Sequence, residues 1–294
     1  MELPLVVGVD GSEPSLRAVD WAADEAALRG VPLRLVYASL WERYEGAALA
    51  QDLGRTSEQV LADKIVEAAA KRAHRREVDL KISTDVLAEE PVPALLREAR
   101  NASALVMGSR GRSGIAELLL GSVSLAVAAR ADCAVIVMRG SPEDQSRSSG
   151  MRRRIVIGVG ERPEHSAAVR FAFQEAEERR VPLEAVRAWR CPAHETTDHP
   201  LLAGEPAHLH EQRATQILEA ALRDAAADHP SVELRRRVVE GPARTVLLDA
   251  SAEADLLVVG AQRRQGHFGL QLGRVAHAAL HHAACPVAVV PQRV

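Results

Sequence analysis

Cysteine is scarce in this chain of 294 residues, and the few cysteines follow no pairing pattern. The 3 cysteines, Cys133, Cys191 and Cys285, are an odd number and include no Cys-x2-Cys motif. A disulfide framework needs paired cysteines and a structural zinc site needs closely spaced ligands, so the sequence predicts neither. Cys133 and Cys285 each open an apolar run, which favours buried structural thiols over nucleophiles.

Long hydrophobic runs are also absent. No apolar stretch approaches the roughly 18 residues that a membrane-spanning helix needs. The first residues, MELPLVVGVDGS, lack the basic segment of a secretory signal and contain only a short apolar run. We therefore expect a cytoplasmic protein with no membrane partner.

Neither sign of charge dominates the chain. Its 37 Lys+Arg and 40 Asp+Glu give a net charge of -3, which argues against a polybasic nucleic-acid-binding protein. The cations are 34 Arg and 3 Lys, a skew of the whole composition, so an arginine counts as evidence only at a motif position. The Ser-Gly-Gly-x-Asp-Ser and Gly-x4-Gly-Lys-[Ser/Thr] motifs of ATP-cleaving and phosphate-binding sites are absent. With no catalytic arrangement evident, the sequence predicts no catalytic residues and does not indicate an enzyme.

Histidine is concentrated in the second half of the chain, which holds ten of the 11 histidines. His194-Glu195-x3-His199 misses the His-Glu-x2-His spacing by one residue, so the two imidazoles would not share one helix face as zinc ligands. A solvated loop is the favoured interpretation, and the sequence predicts no metal site.

An internal repeat decides the architecture. Residues 6–36 align without gaps on 156–186 with 13 of 31 positions identical, and 105–138 align on 257–290 with 14 of 34 identical. The chain is thus a tandem duplication. We predict one domain over 1–139, a polar linker over 140–154 and a second domain over 155–294.

Each half alternates apolar strands with amphipathic helices. The predicted strands are 3–9, 32–38, 79–87, 104–108 and 133–138, and then 155–159, 183–189, 232–239, 256–260 and 286–290. The predicted helices include 16–29, capped by Ser12 or Ser15 and ended by Gly30, and 57–76, 93–101, 122–130 and 213–227. Continuous apolar strands alternating with helices predict an α/β fold, with two tandem, open, doubly wound parallel sheets of five strands.

The last strand of each half carries no charge and is rich in β-branched residues. Such a strand is prone to aggregate if it forms an unpaired sheet edge. We therefore predict that the two halves pair these edges in an intramolecular pseudo-dimer, which chains can extend into a homodimer. The alternative, that both strands are central in their sheets, stays open.

Two segments of the first half follow strands whose carboxyl ends meet at the expected ligand crevice. One is Val9-Asp10-Gly11-Ser12, and the other is the stretch 108–114, which leads to Gly121-Ser122 at the start of a helix. Glycines let backbone amides approach phosphate oxygens, and a helix N-terminus favours an anion. Arg110 and Arg112 add positive charge, the hydroxyls of Ser122 and Ser124 can donate to phosphate, and Asp10 can accept from ribose hydroxyls. These residue types suit a nucleotide.

The spacing Gly108-x2-Gly111-x9-Gly121-Ser122 resembles the ATP-binding motif of the universal stress protein family. The opening GVDGS and the closing strands CAVIVM and CPVAVV are also similar to that family, and the likeness covers both halves. The resemblance implies a Rossmann-like fold of the adenine-nucleotide alpha hydrolase type, ATP with Mg²⁺ as the ligand, and an unidentified protein partner. It places Val9 and Val36 near the base and Asp10 at the ribose or adenine. The residues that it places around the phosphates are Met107, Gly108, Arg110, Gly111, Gly121, Ser122, Val123 and Ser124. The alternatives are that the glycines serve turns and that Asp10 is a turn or helix-cap residue.

The second half departs from this motif. Its aligned positions read Gly260-x2-Arg263-x9-Gly273-Arg274, and Gly160 stands where the first half has Asp10. A long side chain at 263 would obstruct close backbone approach, although Arg263, Arg264 and Arg274 can attract an anion electrostatically. We expect nucleotide binding in the first half and weak or altered binding in the second.

Three functions are compatible with these features. The first is a regulatory protein of the stress response that uses ATP occupancy of the first domain as a signal. The second is a slow ATPase or other nucleotide-processing enzyme, and the third is an interaction scaffold without nucleotide.

Overall fold

A computed structural model describes residues 2–40, 57–109, 120–139, 154–161, 166–191, 207–262 and 272–292. The described residues up to Arg139 form one compact unit, and those from Arg154 form a second. Each unit is an α/β fold with five parallel strands. The predicted fold class is therefore confirmed. No described helix combines the length and the apolar character that crossing a membrane requires.

The first unit has the sheet order β3-β2-β1-β4-β5. Its strands are β1 (Leu5–Gly8), β2 (Leu33–Ala38), β3 (Ile82–Leu87), β4 (Ala104–Gly108) and β5 (Ala134–Met138). Its helices are α1 (Glu13–Arg29), α2 (Ser57–Arg76), α3 (Pro91–Glu98) and α4 (Ser122–Arg130), with a 3-10 turn over Ala99–Asn101. The strand order reverses between β1 and β4, and this switch point is where open α/β sheets bind ligands.

The second unit repeats this arrangement with the order β8-β7-β6-β9-β10. Its strands are β6 (Ile155–Gly158), β7 (Leu183–Trp189), β8 (Leu234–Glu240), β9 (Leu256–Gln262) and β10 (Val287–Gln292). Its helices are α5 (Ala167–Arg179), α6 (Ala207–Asp228), α7 (Ala243–Ser251) and α8 (Arg274–His282). The strand registers repeat as well: Val7 lies opposite Leu35 and Val106, and Ile157 lies opposite Ala185 and Val258.

The central strands form the core of each unit. Leu5, Leu33 and Leu105 have no exposed surface in the first unit, and neither do Ile155, Ile157 and Leu183 in the second. Burial of such apolar surface is the main force that stabilises each sheet. Because the central strands β1, β4 and β6 are buried along almost their whole length, they lack the alternating polar pattern of a one-sided sheet.

The last strand of each unit stands at the end of that unit's strand order. The sequence-based expectation that β5 and β10 are not central within their own five-stranded sheets is thus confirmed. The pairing of the two edges in a pseudo-dimer stays a prediction.

Helix α1 ends where the sequence indicates but begins at Glu13, three residues before the predicted start, because Ser12 and not Ser15 is its cap. Ser12 is the N-cap and its side chain accepts a hydrogen bond from the Ser15 amide, while Gly30 ends the helix with φ 68°. The equivalent end of α5 is Arg180, which adopts φ 54° although it is not glycine. A left-handed conformation is costly for a residue with a Cβ, so Arg180 is a strained helix end.

Candidate functional site

The crevice of the first unit begins at the loop between β1 and α1. Asp10 lies two residues beyond β1, and its Oδ1 accepts hydrogen bonds from the Ser12 amide at 2.9 Å and the Ser12 hydroxyl at 2.6 Å. Among the described residues, Asp10 Oδ2 accepts none, so one carboxylate oxygen is left for a ligand. The turn-forming interpretation of Asp10 is therefore correct for one oxygen and leaves the ligand-binding interpretation open for the other.

The Asp10 loop is held in place by Ser15, which the sequence analysis named only as a candidate cap of α1. The buried Ser15 hydroxyl accepts a hydrogen bond from the Asp10 amide at 3.4 Å and donates to the Ser12 carbonyl at 2.8 Å. Gly11 has φ 79°, a conformation that glycine adopts without strain. The signal for Ser15 was present in the sequence, because it was one of the two candidate caps of α1.

The second side of the crevice is the start of α4. Gly121 is the N-cap and supplies no side-chain hydrogen bond, and Ser122 at the first position is exposed. The first-turn amides of a helix have no partner inside the helix, and their N–H groups point outward at the N-terminus. The helix dipole is positive at this end. The N-terminus of α4 thus presents amides suited to an anion such as a phosphate.

Two hydrogen bonds fix the start of α4 to the end of β4. The Gly121 amide donates to the Ser109 carbonyl at 2.8 Å, and the Ser124 hydroxyl donates to the Gly108 carbonyl at 2.8 Å. A hydroxyl has one proton, and in this structure Ser124 uses it to position α4. Its predicted hydrogen bond to a phosphate would require the hydroxyl to leave the Gly108 carbonyl, and that contact stays a prediction.

Gly108 is required by the approach of α1 to the sheet. A Cβ at Gly108 would lie 2.7 Å from the Pro14 carbonyl carbon and 2.8 Å from the Ser15 amide nitrogen. Those atoms are backbone atoms of the first turn of α1, so this glycine lets α1 lie directly on the end of β4. The same contact holds the first turn of α1, which follows the Asp10 loop, against the end of β4.

The apolar members of the predicted site lie in the core. The side chains of Val9, Val36 and Met107 are buried, with Val36 only 1% exposed, and the Val36 carbonyl accepts a hydrogen bond from the Val9 amide at 2.9 Å. Their predicted contact with the base stays a prediction, and the little exposed surface of Val9 and Met107 limits its area. Val123 lies in the first turn of α4 and is half-buried. Arg110, Gly111 and Arg112 lie outside the described residues.

The equivalent crevice of the second unit lacks these features. Gly160 replaces Asp10, and Ala276 replaces Ser124, so neither the carboxylate nor the hydroxyl that fixes the helix is present. Among the described residues, no hydrogen bond joins the Gly273 amide to the end of β9. A Cβ at Gly260 would meet the Gln292 side chain at 2.8 Å instead of helix backbone. Arg274 begins α8 and is exposed, while Arg263 and Arg264 lie outside the described residues.

A buried arginine in this second crevice was missed by the sequence analysis. Arg187 on β7 is 8% exposed, and its Nη1 donates to the Val159 carbonyl at 3.2 Å. Burial lowers the pKa of the Arg187 guanidinium, and the negative charge of Glu161 raises it by a smaller amount. The sequence signal was an arginine inside the apolar run LEAVRAW, at a position where the first half has Tyr37.

The comparisons with known proteins agree on one family. The model of the universal stress protein family matches residues 3–139 and 151–291. A universal stress protein of Mycobacterium bovis is 33% identical over 98% of this chain and 97% of its own length, and one of Mycolicibacterium smegmatis is 29% identical over 99% and 98%. The crystal structure of a universal stress protein from Archaeoglobus fulgidus covers 100% of both chains with a TM-score of 0.69 and 16% identity, a likeness of fold.

Proposed function

Because this chain belongs to the universal stress protein family, we propose that its first unit binds ATP with Mg²⁺ and that its second unit does not bind it in the same way. The observation that carries this proposal is the fixed N-terminus of α4, which two hydrogen bonds join to the end of β4. The amides of this helix start would bind the phosphates. The free Oδ2 of Asp10 would accept hydrogen bonds from the ribose.

The crevice fits an adenine nucleotide in charge and in position. The exposed start of α4 suits the negative phosphates, and Asp10 suits neutral hydroxyl donors. Both lie at the carboxyl ends of neighbouring strands, β1 and β4, at the switch in strand order. Mg²⁺ would bind the phosphate oxygens of the ligand and offset their charge.

We further propose that nucleotide occupancy acts as a signal to a protein partner in the stress response. The Asp10 loop leads directly into α1, and the Ser109 and Gly108 carbonyls fix α4. A ligand that bridges these two segments would order their surface, which a partner can distinguish from the free form.

The test is a calorimetric titration with ATP and Mg²⁺ of the natural chain and two matched variants. Ser122→Asp puts a carboxylate at the first position of α4, where it suits the helix but repels phosphate. Arg274→Asp introduces the same carboxylate at the equivalent first position of α8 and serves as the control. We expect one saturable site per chain, at least tenfold weaker in Ser122→Asp and unchanged in Arg274→Asp.

Three results would contradict the proposal. They are an absence of saturable binding, equal affinity in Ser122→Asp, and loss of binding in Arg274→Asp. A third variant, Asp10→Asn, tests the proposed contact with the ribose. The side-chain oxygen of asparagine can still accept hydrogen bonds from Ser12, but the negative charge is lost. We expect this variant to bind ATP more weakly and to remain folded.

A further inference from the structure

The buried cation of the second crevice has little to neutralise it. Arg187 makes one described hydrogen bond, from Nη1 to the Val159 carbonyl, and its buried Nε has no partner. No carboxylate of the described residues forms an ion pair with it, and Glu161 acts only as a more distant attraction. A guanidinium carries five N–H donors, and leaving buried donors unpaired costs free energy.

Arg187 lies at the ligand end of its sheet. Val159, whose carbonyl it contacts, directly follows β6, and the Val159 amide donates to the Val186 carbonyl at 2.9 Å. The equivalent residue of the first unit is Val9, beside Asp10. The guanidinium therefore stands at the carboxyl ends of β6 and β7, where the repeat has its crevice.

The residue after Val159 leaves room next to the carbonyl that Arg187 contacts. A Cβ added at Gly160 would meet no atom of the described residues within 4 Å, so none of them fills the position that the Asp10 side chain takes in the first unit. The two crevices also differ in charge at equivalent places. The first has Asp10 and Tyr37, and the second has Gly160 and Arg187.

We propose that the second unit binds a phosphate group through Arg187. The unpaired donors of the guanidinium suit a tetrahedral oxyanion, which two parallel N–H bonds can hold in a bidentate way. The anion would occupy the open space beside Gly160 and neutralise the buried charge. The phosphate is either the free anion or the terminal group of a larger ligand. This site is independent of ATP binding by the first unit.

The experiment uses the full chain with Ser122→Asp, so that phosphate binding at α4 does not contribute. Inorganic phosphate and AMP are titrated by calorimetry into this protein and into versions that also carry Arg187→Gln or Arg236→Gln. Arg236 is an exposed arginine on the neighbouring strand β8 and serves as the matched control. We expect one saturable site that is at least tenfold weaker in Arg187→Gln and unchanged in Arg236→Gln. Tighter binding of AMP than of phosphate would assign the group to a larger ligand, and the reverse would assign the free anion.

Absence of saturable binding of both probes would overturn the proposal. Equal affinity in Arg187→Gln would also overturn it, since the anion would then be held elsewhere. If Arg187→Gln does not fold, the Arg187 Nε–H resonance is followed by NMR in the Ser122→Asp protein, with Arg187→Lys for assignment. A shift that saturates with phosphate supports the site, and no shift refutes it.

Discussion

The contact between Gly108 and the first turn of α1 predicts a large cost for adding one methyl group. In Gly108→Ala the Cβ would lie 2.7 Å from the Pro14 carbonyl carbon and 2.8 Å from both the Pro14 oxygen and the Ser15 nitrogen. Because these are backbone atoms of a helix, they cannot rotate away as a side chain can. Helix α1 has to move off the end of β4.

The magnitude follows from the kind of atoms in contact. Overpacking of this kind costs typically about 1–3 kcal/mol, and rigid backbone favours the upper part of that range. We expect Gly108→Ala to lower the free energy of unfolding of the first unit by about 2–3 kcal/mol. ATP binding should weaken as well, since the Ser15 hydroxyl that holds the Asp10 loop moves with α1.

The second unit offers the matched control. A Cβ at Gly260 would lie 2.8 Å from the end of the Gln292 side chain, which can change rotamer, and one at Gly160 would meet nothing within 4 Å. We expect Gly260→Ala to cost under about 1 kcal/mol and Gly160→Ala to be nearly neutral.

Hydrogen–deuterium exchange with mass spectrometry measures each unit separately. A loss of 2 kcal/mol should speed the exchange of slowly opening amides of α1 and β4 roughly 30-fold in Gly108→Ala, and leave β6 and β9 unchanged. Equal effects of Gly108→Ala and Gly260→Ala on their own units would refute the reasoning, because flexible and rigid contacts would then cost the same.

Two pairs of substitutions and one labelling reaction test other features of the structure. Ser124→Ala should destabilise the first unit by about 1–2 kcal/mol, because the Gly108 carbonyl loses the hydrogen bond from this hydroxyl. Ser122 is exposed, so Ser122→Ala should change the stability by less than about 0.5 kcal/mol. The same exchange experiment measures both. Arg180→Gly should stabilise the second unit by about 1 kcal/mol in denaturant titrations, and Gly30→Ala should destabilise the first by a similar amount, since both positions have positive φ. Burial raises the pKa of the Cys133 thiol to about 12 from 9.0, so its thiolate fraction at pH 8 should fall roughly a thousandfold. Iodoacetamide should then label Cys133 only after unfolding, and fast labelling of the native chain would contradict this.

The parts of the fold that follow from local sequence were predicted closely. Residues 57–76, 104–108 and 122–130 form α2, β4 and α4 with the predicted bounds. In these three segments the apolar pattern and the residues at the segment's start were sufficient to predict both bounds.

Element bounds were less accurate where local signals compete. Helix α3 begins at Pro91 and not at Pro93, because proline is tolerated in a first turn whose amides have no helix partner. Helix α6 begins at Ala207 and not at Arg213, since its first turn is mostly exposed and shows no apolar periodicity. Strand β10 extends through Pro291 to Gln292, which pair with Ala261 and Gln262.

The elements around the candidate site were predicted, but their internal contacts were not. Asp10 follows β1 and Ser122 begins α4, as the sequence predicts, and nucleotide binding by these residues stays a prediction. The bond from Ser124 to Gly108 joins residues 16 apart, and Arg187 contacts Val159 28 residues away. Such partners are set by tertiary packing, so no local pattern could have revealed them.

Hydrogen–deuterium exchange with and without ATP and Mg²⁺ tests whether the two units of this duplicated chain differ in nucleotide binding. We expect slower exchange in the loop after β1 and at the start of α4, with no change at the start of α8. Protection of equal size in both units, or confined to the second, would contradict it.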